Sequence, residues 1–208
     1  MMSIWKHARL AMAAAGLSLA ASAASPAMAQ QPTYHRSYAD DRAEIEDLMA
    51  RYLFAIDFHD WDAYVETFAP DGTIEFANGS FAGREEIREA VTSFAARIGE
   101  FYTTEDGSPA KLRHVILQST IRVEGDKAWA TSLWVEMAND GPGDSFKMGT
   151  FGIYKDELVR VDGNWLFSSR VILNEFLEGR ESGPENPVTE IDSAADAYAA
   201  AVAEINAM

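Results

Sequence analysis

The 208-residue chain contains no cysteine, and this absence removes several kinds of site at once. Without thiols there are no disulfides, no thiolate metal ligands and no cysteine nucleophile. We therefore expect the fold to be held together by packing, with help from association between copies of the chain.

Basic residues are also scarce. Lys and Arg number 17 against 33 Asp and Glu, which gives a formal net charge of −16 at pH 7. Nucleic acids and anionic membrane surfaces both require basic patches, so neither is an expected partner. The sequence also has no phosphate loop, no dinucleotide fingerprint and no G-x-S-x-G elbow, and we expect no cofactor.

Long apolar runs are missing except near the N-terminus. Lys6 and Arg9 are followed by "LAMAAAGLSLAA", which is too short to span a bilayer, and Ala27-Met28-Ala29 matches the small-x-small cleavage pattern. We predict that residues 1–29 are a secretory signal peptide and that the mature protein is exported, to the periplasm, with no membrane insertion after cleavage. An uncleaved anchor is the alternative, which the short alanine-rich core disfavours.

Helical periodicity dominates the first half of the remaining chain. Between Asp40 and Ile56 apolar side chains recur every three or four residues, the pattern of a helix with one buried face. The stretch "DWDAYVETF" predicts a short second helix capped by Asp60, and "REEIREAVTSFAARIG" after Gly83 predicts a third.

The character changes after residue 112, where four runs rich in branched and aromatic residues are separated by Gly-containing turns. Such runs are typical of antiparallel hairpins. Helices followed by a meander predict an α+β domain over residues 30–180, in which three helices pack on one face of a curved antiparallel or mixed sheet. Residues 181–208 are predicted to form a linker and a C-terminal helix.

Two polar residues stand out in "RYLFAIDFHDWDAYVETFAPDG", residues 51–72. Asp57 lies at the border of the apolar stripe and near the helix end, where the helix dipole disfavours a carboxylate, so a partner is indicated. A hydrogen bond to the following turn and simple exposure to water are the alternatives. Tyr52 lies on the buried face, either as plain core packing or as part of a site.

Histidine is the natural partner for such a carboxylate, because the carboxylate fixes one tautomer of the ring. Only His35, His59 and His114 follow the predicted signal peptide, and His114 opens the first long strand. His59 is too close along the chain to form a pocket with Asp57, and we expect no metal site in that turn. Arg170, between apolar residues in the last strand, is costly unless it is paired or lines a polar cavity, and an ion pair at a subunit interface is the alternative to a role in the site.

The motifs "AIDFHDWD", "FAPDGTIEF", "IREAV", "RHV" and "VDGNWLF" resemble those of the SnoaL-like family within the nuclear transport factor 2-like superfamily. The resemblance covers most of residues 40–178. It implies a cone-shaped curved sheet, and relatives with elimination activity imply a homotrimer.

Among these relatives, the closest motif similarity is to scytalone dehydratase, bile acid 7α-dehydratase and hexachlorocyclohexane dehydrochlorinase. Their aspartate and histidine match Asp57 and His114 here. The tyrosine of the bile acid enzyme matches Tyr52, and an arginine shared with the dehydrochlorinase matches Arg170.

Two positions depart from the relatives. Ile56 replaces the tyrosine that precedes the aspartate in scytalone dehydratase, whose second histidine has no clear equivalent. Phe76 stands where that enzyme has a pocket tyrosine and where ketosteroid isomerase has its base. An isomerase of the latter type is therefore disfavoured, and the resemblance does not transfer a substrate.

The resemblance implies a cofactor-independent lyase in which His114 is the general base and Asp57 orients it. Tyr52 and Arg170 would assist the leaving group and the developing negative charge. The reaction would be dehydration-like elimination or retro-aldol C–C cleavage on a small hydrophobic, hydroxylated substrate. A pocket for that substrate would be lined by Phe54, Phe58, Trp61, Phe76, Trp134 and Phe151. The alternative is a non-catalytic periplasmic ligand-binding or assembly module of the same fold.

Overall fold

The structure is a computed structural model that describes residues 38–207. Within that range the helices are α1 (Tyr38–Asp57), α2 (Trp61–Glu66), α3 (Arg84–Gly99) and α4 (Pro187–Asn206). The strands are β1 (Phe68–Phe76), β2 (Gly79–Ala82), β3 (Arg113–Glu124), β4 (Lys127–Gly141), β5 (Ser145–Val161) and β6 (Asn164–Ile172). The predicted signal peptide lies outside the described residues.

The six strands form one mixed sheet in the order β2-β1-β6-β5-β4-β3. All neighbouring pairs are antiparallel except β1 and β6, which run parallel. The sheet is curved and unclosed, with β3 at one edge, so the predicted α+β cone is confirmed. The hairpins follow from the turn residues, whereas β2 and the parallel pairing of β1 were not predicted.

The helices α1, α2 and α3 pack against one face of the sheet and bury the main core there. Ile45, Met49 and Tyr52 of α1 are at most 2% exposed and belong to the same apolar cluster as Phe68 and Phe167 of the sheet. The predicted apolar stripe of α1 therefore faces the sheet, and it directs the C-terminal end of α1 towards the start of β3.

The chain reverses between α1 and α2 within a few residues. His59 adopts a positive φ of 58°, and the carboxylate of Asp60 accepts a hydrogen bond from the backbone N–H of Ala63 at 3.1 Å. The predicted N-cap is thus confirmed, and it starts α2 directly after the turn. This tight reversal leaves Asp57 as the last helical residue of α1.

The C-terminal helix α4 covers the opposite face of the sheet. On β4, the side chains of Ala128 and Ala130 belong to the main core, whereas that of Trp129, between them, lies on the other face of the sheet. Trp129 forms a separate apolar cluster with Ile191 and Ala195 of α4. The predicted tail helix is confirmed. Among the described residues, no helix is both long and apolar enough to cross a bilayer.

Candidate active site

Asp57 and His114 meet where the last turn of α1 faces the first residues of β3. The Nδ1 atom of His114 lies 2.7 Å from Oδ1 of Asp57, and the backbone N–H of His114 donates to both carboxylate oxygens at 3.0 and 3.2 Å. Their side chains are 15% and 5% exposed. Since a carboxylate only accepts, the ring carries its proton on Nδ1 and leaves Nε2 as its basic nitrogen.

A nearby cation offsets the unfavourable interaction between the Asp57 carboxylate and the dipole at the C-terminus of α1. Arg113, the residue before His114, donates from Nη1 to the backbone carbonyl of Asp57 at 3.2 Å. Its guanidinium also lies 4.4 Å from the ring centroid of Phe58. A cation at this end of α1 offsets the unfavourable dipole, so the helix end and the strand start are joined by both residues of the Arg113-His114 pair.

A second carboxylate, which no sequence motif indicated, faces the other side of the imidazole. Glu136 is directly opposite His114 in the β3–β4 register, and its Oε2 lies 3.9 Å from Nε2 of His114. The Oε1 of Glu136 accepts a hydrogen bond of 2.5 Å from the hydroxyl of Tyr102. Burial and this bond both raise the pKa of Tyr102, so its hydroxyl remains a donor.

Asp57 and His114 line a cavity of about 630 Å³ between α1 and β3. Met49 and Leu53 of α1 and Ile116 of β3 provide apolar walls. Asp57 is at the C-terminal end of α1, whereas polar lining residues such as Arg42 lie several turns away. The cavity therefore has a polar, imidazole-bearing end, a mainly apolar middle and a second polar end at Arg42, Glu46 and Ser119.

Arg170 lies in the core and does not line this cavity. Its guanidinium is fully buried and forms two hydrogen bonds of 2.7 Å to Asp156 of β5. It also stacks on aromatic rings, with its central carbon 4.0 Å from the Tyr52 centroid and 3.9 Å from that of Phe167. Burial opposes the charge, but Asp156 outweighs it and raises the pKa of Arg170. Arg170 is therefore paired, but its partner lies within the same chain, whereas the alternative predicted from the sequence places the ion pair at a subunit interface.

Tyr52 is equally enclosed, at 1% exposure, and lies outside the cavity lining. Its hydroxyl accepts a hydrogen bond from Tyr64 at 2.9 Å. Burial raises the pKa of Tyr52, since ionisation without water is unfavourable, although Arg170 partly opposes the effect. The predicted contacts of Tyr52 and Arg170 with substrate remain predictions, and their visible contacts are with the core.

The six aromatic residues predicted to line a pocket are dispersed. Phe54 lines the cavity beside Asp57 and is 66% exposed. Phe58 lies under Arg113 and borders a neighbouring groove of about 890 Å³. Trp61 stacks on His59 with ring centroids 5.2 Å apart.

The other three belong to the core or the surface. Phe76 and Trp134 are buried in the main core, and Trp134 lies 6.1 Å from the His114 ring by centroid distance. Phe151 is 43% exposed and packs edge-to-face against Phe176. Of the predicted lining, Phe54 borders the same cavity as Asp57 and His114, and Trp134 supports the histidine from the core.

Within residues 38–207, no group of three or more His, Asp or Glu side chains is arranged to hold a metal ion. Nδ1 of His114 is hydrogen-bonded to Asp57, and Oε1 of Glu136 is hydrogen-bonded to Tyr102. What this arrangement offers chemically is a base at Nε2 and a carboxylate that stabilises the imidazolium formed when the base takes a proton.

An α+β cone with an acid–imidazole pair beside an apolar cavity defines a cofactor-free enzyme or ligand-binding domain of the nuclear transport factor 2-like type. The family model described as a SnoaL-like domain matches residues 37–171. The chain belongs to the SnoaL-like family. No curated protein matches the chain at a significant level.

Several solved structures share the fold. A protein of unknown function from Mycobacterium tuberculosis, Rv3472, is 25% identical, with a TM-score of 0.56 over 77% of this chain and 89% of that one. A Catenulispora acidiphila protein in complex with S-DNPA is 26% identical, with a TM-score of 0.56 over 66% and 95% of the two chains. A putative scytalone dehydratase from Novosphingobium aromaticivorans is 17% identical, with a TM-score of 0.55 over 71% and 96%.

Proposed function

We propose that the protein is a cofactor-independent lyase in which His114 is the general base and Asp57 its orienting partner. The observation that carries this proposal is the 2.7 Å contact between Nδ1 of His114 and Oδ1 of Asp57 at the wall of a cavity. That contact turns Nε2 into the free basic nitrogen. It also provides a fixed negative charge for the imidazolium that proton removal creates.

In an elimination, Nε2 takes a proton from a substrate carbon while the carbon–oxygen bond to the leaving hydroxyl breaks. The imidazolium then returns its proton to the departing oxygen, so the products are an alkene and water and the enzyme is regenerated. In the retro-aldol version, Nε2 takes the proton of a hydroxyl, the adjacent C–C bond breaks, and an aldehyde such as formaldehyde leaves. The electron pair of the broken bond remains on the other carbon, which takes the proton back from the imidazolium, so the base is regenerated. Both reactions use the same base.

The substrate is proposed to be small, hydrophobic and hydroxylated. The cavity walls of Met49, Leu53 and Ile116 suit an apolar body, and the imidazole-bearing end suits a hydroxyl group. The complex of the Catenulispora acidiphila protein with S-DNPA shows that a member of this fold can hold a small molecule. Within the class of small, hydrophobic and hydroxylated molecules, the proposal favours aromatic or polycyclic substrates, because the middle of the cavity is mainly apolar.

The proposal also keeps the roles that family resemblance implies for Tyr52 and Arg170. These residues would assist the leaving group and stabilise the negative charge that develops on the substrate. The proposal also places the mature protein in the periplasm as a homotrimer, on the grounds of the N-terminal sequence and the relatives.

The test is a pair of variants assayed against a library of hydroxylated aromatics and steroids, with product detection by mass spectrometry. His114→Ala removes the base, and Asp57→Asn keeps the size of the side chain but removes its charge. Each is expected to lower kcat by roughly a hundred-fold or more, because general base catalysis and its orienting partner typically contribute that much. A circular dichroism spectrum checks that the fold is retained.

Asp47→Asn is the matched control, since Asp47 is an exposed carboxylate on the same helix, paired with Arg51. Its kcat is expected to equal that of the unmodified protein. Substantial turnover in either dyad variant contradicts the mechanism. Tight binding of library members without any turnover supports the ligand-binding alternative instead.

A further inference from the structure

The Nε2 side of the His114 ring, which points away from Asp57, faces the carboxylate of Glu136. Nε2 of His114 and Oε2 of Glu136 lie 3.9 Å apart, beyond hydrogen-bonding distance. Neither atom forms a hydrogen bond with any residue in the part of the chain that the structure describes, 38–207. The Glu136 side chain is only 10% exposed. Both atoms nevertheless remain accessible to solvent, since the described side-chain atoms that are buried without a partner belong to other residues, so a ligand can reach them.

Both atoms of this gap are acceptors. In the neutral ring, whose Nδ1 proton is directed to Asp57, Nε2 presents a lone pair, and an ionised carboxylate has lone pairs alone. Two acceptors at this separation do not stabilise each other, but they match a ligand with two neighbouring donors. One hydroxyl can donate to Nε2 while the next donates to Oε2, each at about 2.8 Å.

The chain holds Glu136 in this position with specific contacts. The hydroxyl of Tyr102 donates to Oε1 at 2.5 Å and leaves Oε2 free for another donor. Gly149 on β5 makes room for the carboxylate, because a Cβ atom there would lie 2.4 Å from Oε1 of Glu136. The register of β3 and β4 places Glu136 directly opposite His114. Three separate elements therefore fix where Oε2 points.

We infer that Glu136 is a substrate-contacting residue that, together with His114, selects ligands with two adjacent O–H donors. This rests on the proposed function only in that His114 faces the ligand. His114 lines the cavity and its Nε2 lies 3.9 Å from Oε2 of Glu136, which is outside the lining. The inference therefore places one hydroxyl of the ligand at Nε2 and the neighbouring hydroxyl at Oε2. Glu136 then determines from which of two neighbouring hydroxyls His114 removes the proton.

The experiment compares two simple probes, catechol and guaiacol, which differ in that one of two adjacent hydroxyls is methylated. Dissociation constants are measured under anaerobic conditions by NMR chemical-shift titration of isotope-labelled protein. The unmodified protein is expected to bind catechol about ten-fold more tightly, the effect of one additional hydrogen bond to a charged acceptor. Signals of residues around His114 and Glu136 should move.

Glu136→Gln replaces the free acceptor with an amide of the same size and is expected to reduce the catechol-to-guaiacol ratio to about one. Glu157→Gln is the matched control, because it removes the same charge from an exposed strand position, and it should keep the ratio. Gly149→Ala keeps the charge but displaces the carboxylate, and it should also lower the ratio. Spectra of each variant confirm that the fold is intact.

The absence of a catechol preference in the unmodified protein, or its persistence in Glu136→Gln, would overturn the inference. This result is independent of the proposed lyase activity, since binding is measured without turnover. The lyase proposal and the inference about Glu136 are thus tested separately. Asp57→Asn is expected to reduce turnover and so tests the lyase mechanism. A catechol preference that depends on Glu136 establishes the inference whether or not any substrate is converted.

Discussion

At the scale of single residues, Arg170 shows how a charge can be held inside an apolar core. Its guanidinium is fully buried, and its Nε and one terminal nitrogen bind Asp156. Its other terminal nitrogen, Nη1, forms no hydrogen bond to the residues that the structure describes. Aromatic faces around it, including that of Tyr52, supply favourable cation–π contacts. The pair is therefore well oriented but incompletely satisfied.

Removal of one partner should be much more harmful than removal of both. Asp156→Asn leaves a buried positive charge without its counter-ion and is expected to lower the free energy of unfolding by about 3 to 5 kcal/mol. The double variant Asp156→Leu with Arg170→Met replaces the pair by apolar groups and should recover most of that loss. Urea denaturation followed by circular dichroism measures both changes.

The exposed pair of Asp47 and Arg51, whose side chains are 60% and 72% exposed, serves as the comparison. Asp47→Asn should change the free energy of unfolding by less than about 1 kcal/mol, because water screens such pairs. If Asp156→Asn is as mild as this control, Arg170 does not depend on Asp156 in the way the buried geometry indicates.

The candidate site was only partly accessible from the sequence. Asp57 could be recognised because a carboxylate at a helix C-terminus needs a partner, and family resemblance pointed to His114. Glu136 could not, because it lies in a run of strand residues whose register against β3 is set by the folded sheet. An acid at an inward position of a strand was the available signal. Tyr102 lies outside the helices and strands, so no periodicity indicated its contact with Glu136.

At the scale of elements, local patterns predicted what local physics determines. The three N-terminal helices, the Asp60 cap and the hairpins between β3 and β6 follow from periodicity and turn residues. The parallel pairing of β1 with β6 depends instead on a long-range arrangement, with Ile74 opposite Arg170. No short stretch of sequence contains that information, so the strand order could be assigned only from family resemblance or from the fold itself.

The helix α4 is a separate layer whose packing can be tested without disturbing the site. Ala195 is fully buried against the sheet, and its cluster with Trp129 and Ile191 is distinct from the main core. The substitution Ala195→Glu places a charge at this contact. It should detach α4 and lower the free energy of unfolding by about 3 kcal/mol, since the apolar contact is lost. Tryptophan emission should shift to the red as Trp129 becomes exposed.

Ala197→Glu introduces the same charge on the exposed side of α4 and should alter stability by no more than about 0.5 kcal/mol. In both variants the contact between Asp57 and His114 should persist, because it lies between α1 and β3. Equal stability of the two variants would show that α4 does not pack on Trp129 in solution.

At the scale of the whole molecule, three buried tyrosines link the helical layer to the sheet. Tyr52 of α1, Tyr64 of α2 and Tyr154 of β5 are each at most 3% exposed. Burial raises the pKa of each hydroxyl, because the phenolate would lose its hydration, and it does so well above the usual value for Tyr64 and Tyr154. The folded state therefore retains three phenolic protons that the unfolded chain releases near pH 10.

Alkaline stability follows from this difference in proton binding. Below about pH 10 both states keep these protons and stability is unaffected, but above it the unfolded state releases them and the free energy of unfolding falls with rising pH. Each of the three, like Tyr102, whose pKa is also raised, contributes a slope of up to about 1.4 kcal/mol per pH unit. Tyr64→Phe should therefore reduce the slope that these four tyrosines contribute by about one quarter. Phenolate absorbance and circular dichroism, recorded together, should show these tyrosines ionising in the same step as unfolding. Ionisation of all tyrosines near pH 10 with a native circular dichroism spectrum would mean that water reaches the hydroxyls between the helices and the sheet.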